Sequence, residues 1–154
     1  MHLCLFMSAG LTGSSPLENV QLLSKYILQD EVFISVQKYI TLLKKLLLVS
    51  KGEMEISCMI DIIGCVQSLA SEHMDLLPLL QSLLHDTVRE KRDSAAKLYG
   101  MLCATMNTAE FGKEMESIIT QSKSANMSEE NKHGLILAFS NACERRIQIS
   151  KKDC

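Results

Sequence analysis

Apolar residues recur at spacings of three and four along most of this chain, and no segment alternates apolar and polar positions over a useful length. The first periodic stretch opens at Ser15-Pro16-Leu17-Glu18, which supplies a capping Ser, a Pro at the first helical position and a Glu able to reach back. It predicts a helix over residues 16–29. Asp30 is placed to cap a second helix, with Phe33, Val36, Ile40, Leu43 and Leu47 on one face. Ser50-Lys51-Gly52-Glu53 ends that helix and opens a third, which carries Ile56, Met59, Ile60, Ile63, Val66 and Leu69 and extends to about residue 71. A shorter helix is predicted over 74–84, where Pro78 falls near the first turn and is tolerated there or bends it. Thr87-Val88-Arg89-Glu90 predicts the cap of a long helix to residue 106, and Asn107-Thr108-Ala109-Glu110 a capping box for a helix to residue 121. Ser128-Glu129-Glu130 opens the last, to about residue 148. Residues 1–15 form a flexible lead in this reading, and 149–154 a fraying tail. Seven helices with short connections predict one all-α domain over 16–148 with antiparallel neighbours.

Three of these helices share a feature. Gly64, Gly100 and Ser140 each follow a bulky apolar residue, or a residue next to one, and lie 36 and 40 residues apart. A period of about 35–47 residues in a helical chain means stacked helix pairs. A glycine inside a helix costs about 1 kcal/mol relative to Ala, and close approach of a neighbouring helix is the compensation expected. The pairs fall near 33–70, 74–106 and 110–148, with the 16–29 helix left over before them.

Composition narrows the function classes. The hydrophobic fraction of 47% is too high for a disordered chain, while 5% aromatics, no Trp, 7 Gly and 2 Pro favour helices over strands. The formal charge of −2 advertises neither a nucleic-acid surface nor an acidic tail, so no nucleic-acid partner is expected. No apolar run approaches the roughly 20 residues that span a bilayer, because Lys44 and Lys45 interrupt the longest. The N-terminal apolar stretch lacks a positive flank, which argues against a signal peptide and places the chain in the cytoplasm, with the nucleus as a second compartment. Six cysteines at 4, 58, 65, 103, 143 and 154 contain no C-x-x-C pair and read as small reduced thiols.

Catalytic chemistry finds no foothold. His73, His85 and His133 have no second His or Cys at ligand spacing, so no metal site is expected. There is no nucleophile elbow and no P-loop, so no catalytic or cofactor-binding residues are assigned and no enzyme is expected. Met54, Met59, Met101, Met106 and Met115 fall on apolar faces and predict core packing. Arg89, Lys91, Arg92 and Lys97 are interleaved with Asp86, Glu90 and Asp93, which predicts a solvated helix face; the alternative is a charged ridge for an acidic partner.

The middle pair carries a motif. Leu76-Leu77-Pro78-Leu79-Leu80-Gln81-Ser82-Leu83-Leu84-His85-Asp86, followed by Lys91-Arg92-Asp93-Ser94-Ala95-Ala96-Lys97-Leu98-Tyr99-Gly100-Met101-Leu102, resembles the HEAT repeat of armadillo-like α-solenoids. The matching positions are Pro78 in the first helix, Asp86 in the turn, Arg92 opening the second helix, then Ala96 and Gly100. The resemblance implies an antiparallel helix pair that stacks into a superhelix, with Asp86 and Arg92 supporting a ladder between repeats. Lys91 departs from the pattern, where the family prefers Val; Val88 is available to fill that space. The segment from Val88 to Gly100, with Asn131-Lys132-His133-Gly134-Leu135-Ile136-Leu137-Ala138, is similar to the family of very large HEAT-repeat adaptors and scaffolds of the proteasome. It departs after Ala138, where Phe139-Ser140-Asn141 replaces a Leu-Gly-Tyr type continuation.

These resemblances imply a non-enzymatic protein–protein scaffold or adaptor whose partners are other proteins, proteasome subunits among them. Two alternatives stand beside it: a repeat fragment with no independent activity, and a small ligand-binding helical bundle. Apolar residues on both terminal helices predict self-association.

Overall fold

The computed structural model describes residues 30–50 and 52–152. The 16–29 helix and the 1–15 lead lie outside the described residues. Six α-helices and one 3-10 helix make up the rest, with no strand among the described residues. They are α1 (Asp30–Ser50), α2 (Glu53–Cys65), a 3-10 helix (Gln67–Leu76), α3 (Leu77–Leu83), α4 (Arg89–Cys103), α5 (Thr108–Ser122) and α6 (Glu129–Lys152).

The helices form an all-α solenoid of three pairs. Helix α1 packs on α2, the 3-10 helix and α3 pack on α4, and α5 packs on α6. The second helices of the pairs also stack on one another, α2 on α4 and α4 on α6, the last being the largest interface. Contacts advance in the same direction along both partners. Asp93 approaches His133, Gly100 meets Asn141, and the Ala104 carbonyl meets Arg146, so α4 and α6 run parallel. Parallel stacking of every second helix distinguishes a solenoid from an up-and-down bundle, in which sequential helices close on themselves.

Each helix buries one stripe. Val36, Ile40, Leu43 and Leu47 of α1 face Ile56, Met59, Ile60 and Ile63 of α2 within one core. Helix α4 is buried almost all round from Ala95 to Cys103, because it sits between two other pairs. Fully burying Leu98 and Leu102 stabilises the stack by about 1.5–3 kcal/mol each. Met59, Met101 and Met115 lie in this core, but Met54 does not: it is 78% exposed at the start of α2.

Several boundaries differ from the sequence reading. The third predicted helix does not continue to residue 71. Val66 leaves the helical region (φ −130°, ψ 89°), and a 3-10 helix takes over. Of its four buried residues, Leu69, Ala70, His73 and Leu76, three continue from Val66 at steps of three, four and three, spacings that α and 3-10 geometry share. The short predicted helix therefore begins at Leu77, which puts Pro78 in its first turn, where its missing N–H costs nothing. Thr87 does not cap α4. Val88 is the N-cap residue, and its N–H donates to Asp86 Oδ1 at 2.9 Å. The last helix runs on past residue 148 to Lys152, with the Ser150 hydroxyl donating to the Arg146 carbonyl.

Candidate functional site

The HEAT-like residues converge on the turn between α3 and α4. Asp86 and Arg92 do not pair through their side chains. Asp86 closes the turn through the Val88 N–H, and Arg92 donates from Nη1 to the carbonyls of Asp86 and Thr87 at 2.8 and 3.0 Å. Arg92 is only 5% exposed, so it belongs to the scaffold and not to the charged face formed by Arg89, Lys91 and Lys97. Its hydrogen bonds stay inside its own repeat. Its charge crosses to the next as the smallest of the influences on Glu130, whose carboxyl is held below the usual carboxylate range by its backbone hydrogen bond foremost, then by the Ser128 hydroxyl, and last by Arg92. Pro78 is exposed, Ala96 is fully buried, and Arg89 forms an exposed pair with Asp93 at 3.6 Å.

Glycine lets the pairs come close. A Cβ on Gly100 would stand 2.7 Å from both the Ala142 amide nitrogen and the Asn141 Cβ, so α4 and α6 touch backbone to backbone there. The other two small residues behave differently. A Cβ on Gly64 would make an ordinary 3.7 Å contact with Met101 Cε, and Ser140 is exposed. The register is nevertheless regular. Gly64 faces the residue after Gly100, and Gly100 faces the residue after Ser140. A second close approach was not legible from the spacing: Gly134, at the start of α6, lies on the Leu84 carbonyl at the end of α3, and a Cβ there would collide with that oxygen.

Two further devices join the second pair to the third. Arg146 of α6 donates from Nη1 to the carbonyls of Ala104 and Met106, at the C-terminal end of α4, and its guanidinium lies 5.4 Å from the Phe111 ring centre. It thereby satisfies carbonyls that a helix end leaves without partners and holds α4, α5 and α6 together. Nearby, the buried Tyr99 hydroxyl donates to the Glu114 carboxylate of α5. Burial foremost, with that hydrogen bond second, pushes the Tyr99 phenol far up. Burial, then the Glu114 charge, pushes the Cys103 thiol up to about 12. These groups stay protonated and inert at neutral pH, which suits packing and not nucleophilic chemistry. Cys58, Cys65, Cys103 and Cys143 form no disulfide among the described residues. No local pattern marks Arg146 or Glu114 beyond their places beside apolar helix positions.

Both helices of each pair leave exposed positions, among them Ile34 and Leu42 of α1, Lys97 of α4, Ile119 of α5 and Ile136 of α6, and the second helices share part of this surface. Between α4 and α6 it forms a shallow groove of about 210 Å³ lined by Lys97, Met101, Asn141, Glu144, Arg145 and Gln148, with charges of both signs. Among the described residues no three His, Cys, Asp or Glu side chains gather as a metal site, and no helix is long and apolar enough to cross a membrane.

Comparison with known proteins agrees with this geometry. A human protein, the proteasome adapter and scaffold protein ECM29, is 31% identical over 105 residues, which is 68% of this chain but only 6% of that protein's length. No solved structure matches. The model of the ARM-like repeats of ECM29 matches residues 20–154, nearly all of the stacked helices described above. The chain therefore belongs to the ECM29 ARM-like repeat family.

Proposed function

We propose that this chain is a non-enzymatic scaffold segment that binds other proteins along the ridge of α2, α4 and α6, and that proteasome subunits are among its partners. The observation that carries the reading is the relative's function, adaptor and scaffold of the proteasome, on a chain whose own helices stack in the same repeat family. Physical features support it. A solenoid presents one helix of each pair as a continuous surface, and such surfaces recognise proteins more often than small molecules. The groove between α4 and α6 is shallow and mixed in charge, and the polar clusters around Arg146 and Tyr99 are spent on joining helices.

The cytoplasm, with the nucleus as a second compartment, is the setting this function requires. Self-association is a second property of the proposal. Ile34, Leu42, Leu48 and Val49 stand exposed on α1, and Ile136 and Ile147 on α6, at opposite ends of the stack. Light scattering across a concentration series tests that part: a mass that rises with concentration supports it, and a constant monomer mass refutes it.

The principal experiment is sedimentation of the labelled chain with purified 26S proteasomes. Co-sedimentation that saturates and is competed by unlabelled chain supports the proposal. Free chain remaining at the top of the gradient at micromolar proteasome refutes the proteasome partnership. A fragment with no independent activity predicts that second result.

A further inference from the structure

Helix α1 is fastened to the 3-10 helix by two polar links. Gln37 Nε2 donates to Glu72 Oε2 at 2.6 Å, and Lys44 Nζ reaches the two oxygens of Asp75 at 2.7 and 2.6 Å. Between Glu72 and Asp75 in sequence stands His73, and its backbone (φ −121°, ψ 26°) breaks the 3-10 helix at that point. While its neighbours reach outward to α1, the His73 ring is turned inward. The residue is 6% exposed, and neither ring nitrogen has a hydrogen-bond partner among the described residues.

That arrangement is costly for imidazole, which normally pairs both nitrogens when buried. It is far more costly for imidazolium, which would bring two donors and a charge into the same space. The charged groups acting on the ring are Lys44 from α1 and Glu72 and Asp75 from its own helix. Burial is the largest influence and Lys44 the next. Both oppose protonation and outweigh the two carboxylates, so the ring titrates below its ordinary range.

We propose that the joint between α1 and the 3-10 helix is a proton-operated latch, in which protonation of His73 at mildly acidic pH opens the joint and frees α1 from that helix while α4, α5 and α6 stay stacked. The kink supplies the hinge, because His73 already lies outside helical geometry. The Lys44–Asp75 and Gln37–Glu72 links supply the catch, because both sit within two residues of the ring. The direction follows from proton counting. The open form takes up a proton at the ordinary imidazole range near 6.5 and the closed form does not. The closed joint is therefore fully stable above that pH and weakens as pH falls below it, the open fraction growing by at most about tenfold per pH unit until the closed form takes up the proton too.

Amide hydrogen exchange on the whole chain, corrected for intrinsic rates and followed from pH 7.5 to 5.5, tests the latch. Protection in α1 and the 3-10 helix should fall below pH 6.5, by up to about tenfold per pH unit, with α4 and α6 unchanged. His73→Leu should flatten that profile; His73→Gln, which cannot take up the proton either, serves if His73→Leu does not fold. Both Lys44→Met and Asp75→Asn break a link and should lower protection in α1 at every pH; Lys44→Met should also end the fall at a higher pH, by removing the charge that opposes protonation of the closed ring, and Asp75→Asn should extend it to lower pH. Protection that is flat in the wild type, that falls equally in all six helices, or that keeps its pH dependence without His73 overturns the proposal.

Discussion

Replacing single glycines by alanine separates the structure's account of the helix stack from one based on spacing alone. Alanine in a helix interior is worth about 1 kcal/mol over glycine, so Gly→Ala should stabilise wherever the new methyl finds room. At Gly112 of α5 nothing lies within 4 Å of the added Cβ, and the gain should appear undiminished. At Gly64 the methyl makes an ordinary contact with the flexible end of Met101, and the change should be neutral to stabilising. At Gly100 the methyl would stand 2.7–2.8 Å from Asn141 and Ala142, two of the three nearest atoms being backbone. Relief requires α6 to move away from α4, and it is the largest interface in the stack. Overpacking of this kind costs typically about 1–3 kcal/mol and sometimes more. Set against the propensity gain, Gly100→Ala should lose up to about 2 kcal/mol. Urea unfolding followed by circular dichroism measures all three. Thermal midpoints should rise by about 2–4 °C for Gly112→Ala and fall, by up to about 8 °C, for Gly100→Ala. A Gly100→Ala protein as stable as Gly112→Ala would refute the backbone contact between α4 and α6.

Other consequences are equally specific. Arg146→Met should cost about 2 kcal/mol, since charge-assisted bonds to the Ala104 and Met106 carbonyls are lost; Arg146→Lys should recover less than half, because a lysine lacks the planar fork that spans both carbonyls. Denaturant unfolding of the two variants checks this. Asn107 Oδ1 accepts the Glu110 N–H and caps α5, so Asn107→Ala should cost about 1 kcal/mol and Asn107→Gly only a few tenths, with α5 amides losing protection in hydrogen exchange. Cys103 titrates near 9.0 when unfolded and at about 12 when folded, so the folded chain holds a proton that the unfolded chain gives up. Stability from this group is complete below pH 9 and is lost as pH rises toward 12, at up to about 1.4 kcal/mol per pH unit. Unfolding measured from pH 8 to 11 should be steeper for the wild type than for Cys103→Ala.

The sequence showed the all-helical class and the stacking because both depend on periodicity. Phe33, Val36, Ile40 and Leu43 mark a buried stripe whatever the stripe packs against. The middle repeat was the most legible, since Pro78, Asp86, Arg92 and Gly100 are residue types chosen for backbone geometry. What stayed hidden has physical reasons. The 3-10 helix hid behind spacings that both helix types satisfy, and only the backbone break at Val66 separates them. The equivalence of Gly64, Gly100 and Ser140 predicted a repeat register, which the contacts follow, but not which position carries the backbone approach. Arg146 was hidden because its carbonyl partners lie 42 and 40 residues away, beyond any local pattern. Arg92 looked like part of a charged surface because charge in a sequence does not reveal burial.

The solenoid depends on the second helices packing on one another, α2 on α4 and α4 on α6. Nuclear Overhauser contacts in the isotope-labelled chain test it directly. The structure predicts cross-peaks from the Gly100 Hα protons to Asn141 and Ala142, from Gly134 Hα to Leu84, and from the Met101 methyl to Gly64. Absence of these peaks, with contacts instead joining α1 to α6 as a closed bundle would require, would contradict it.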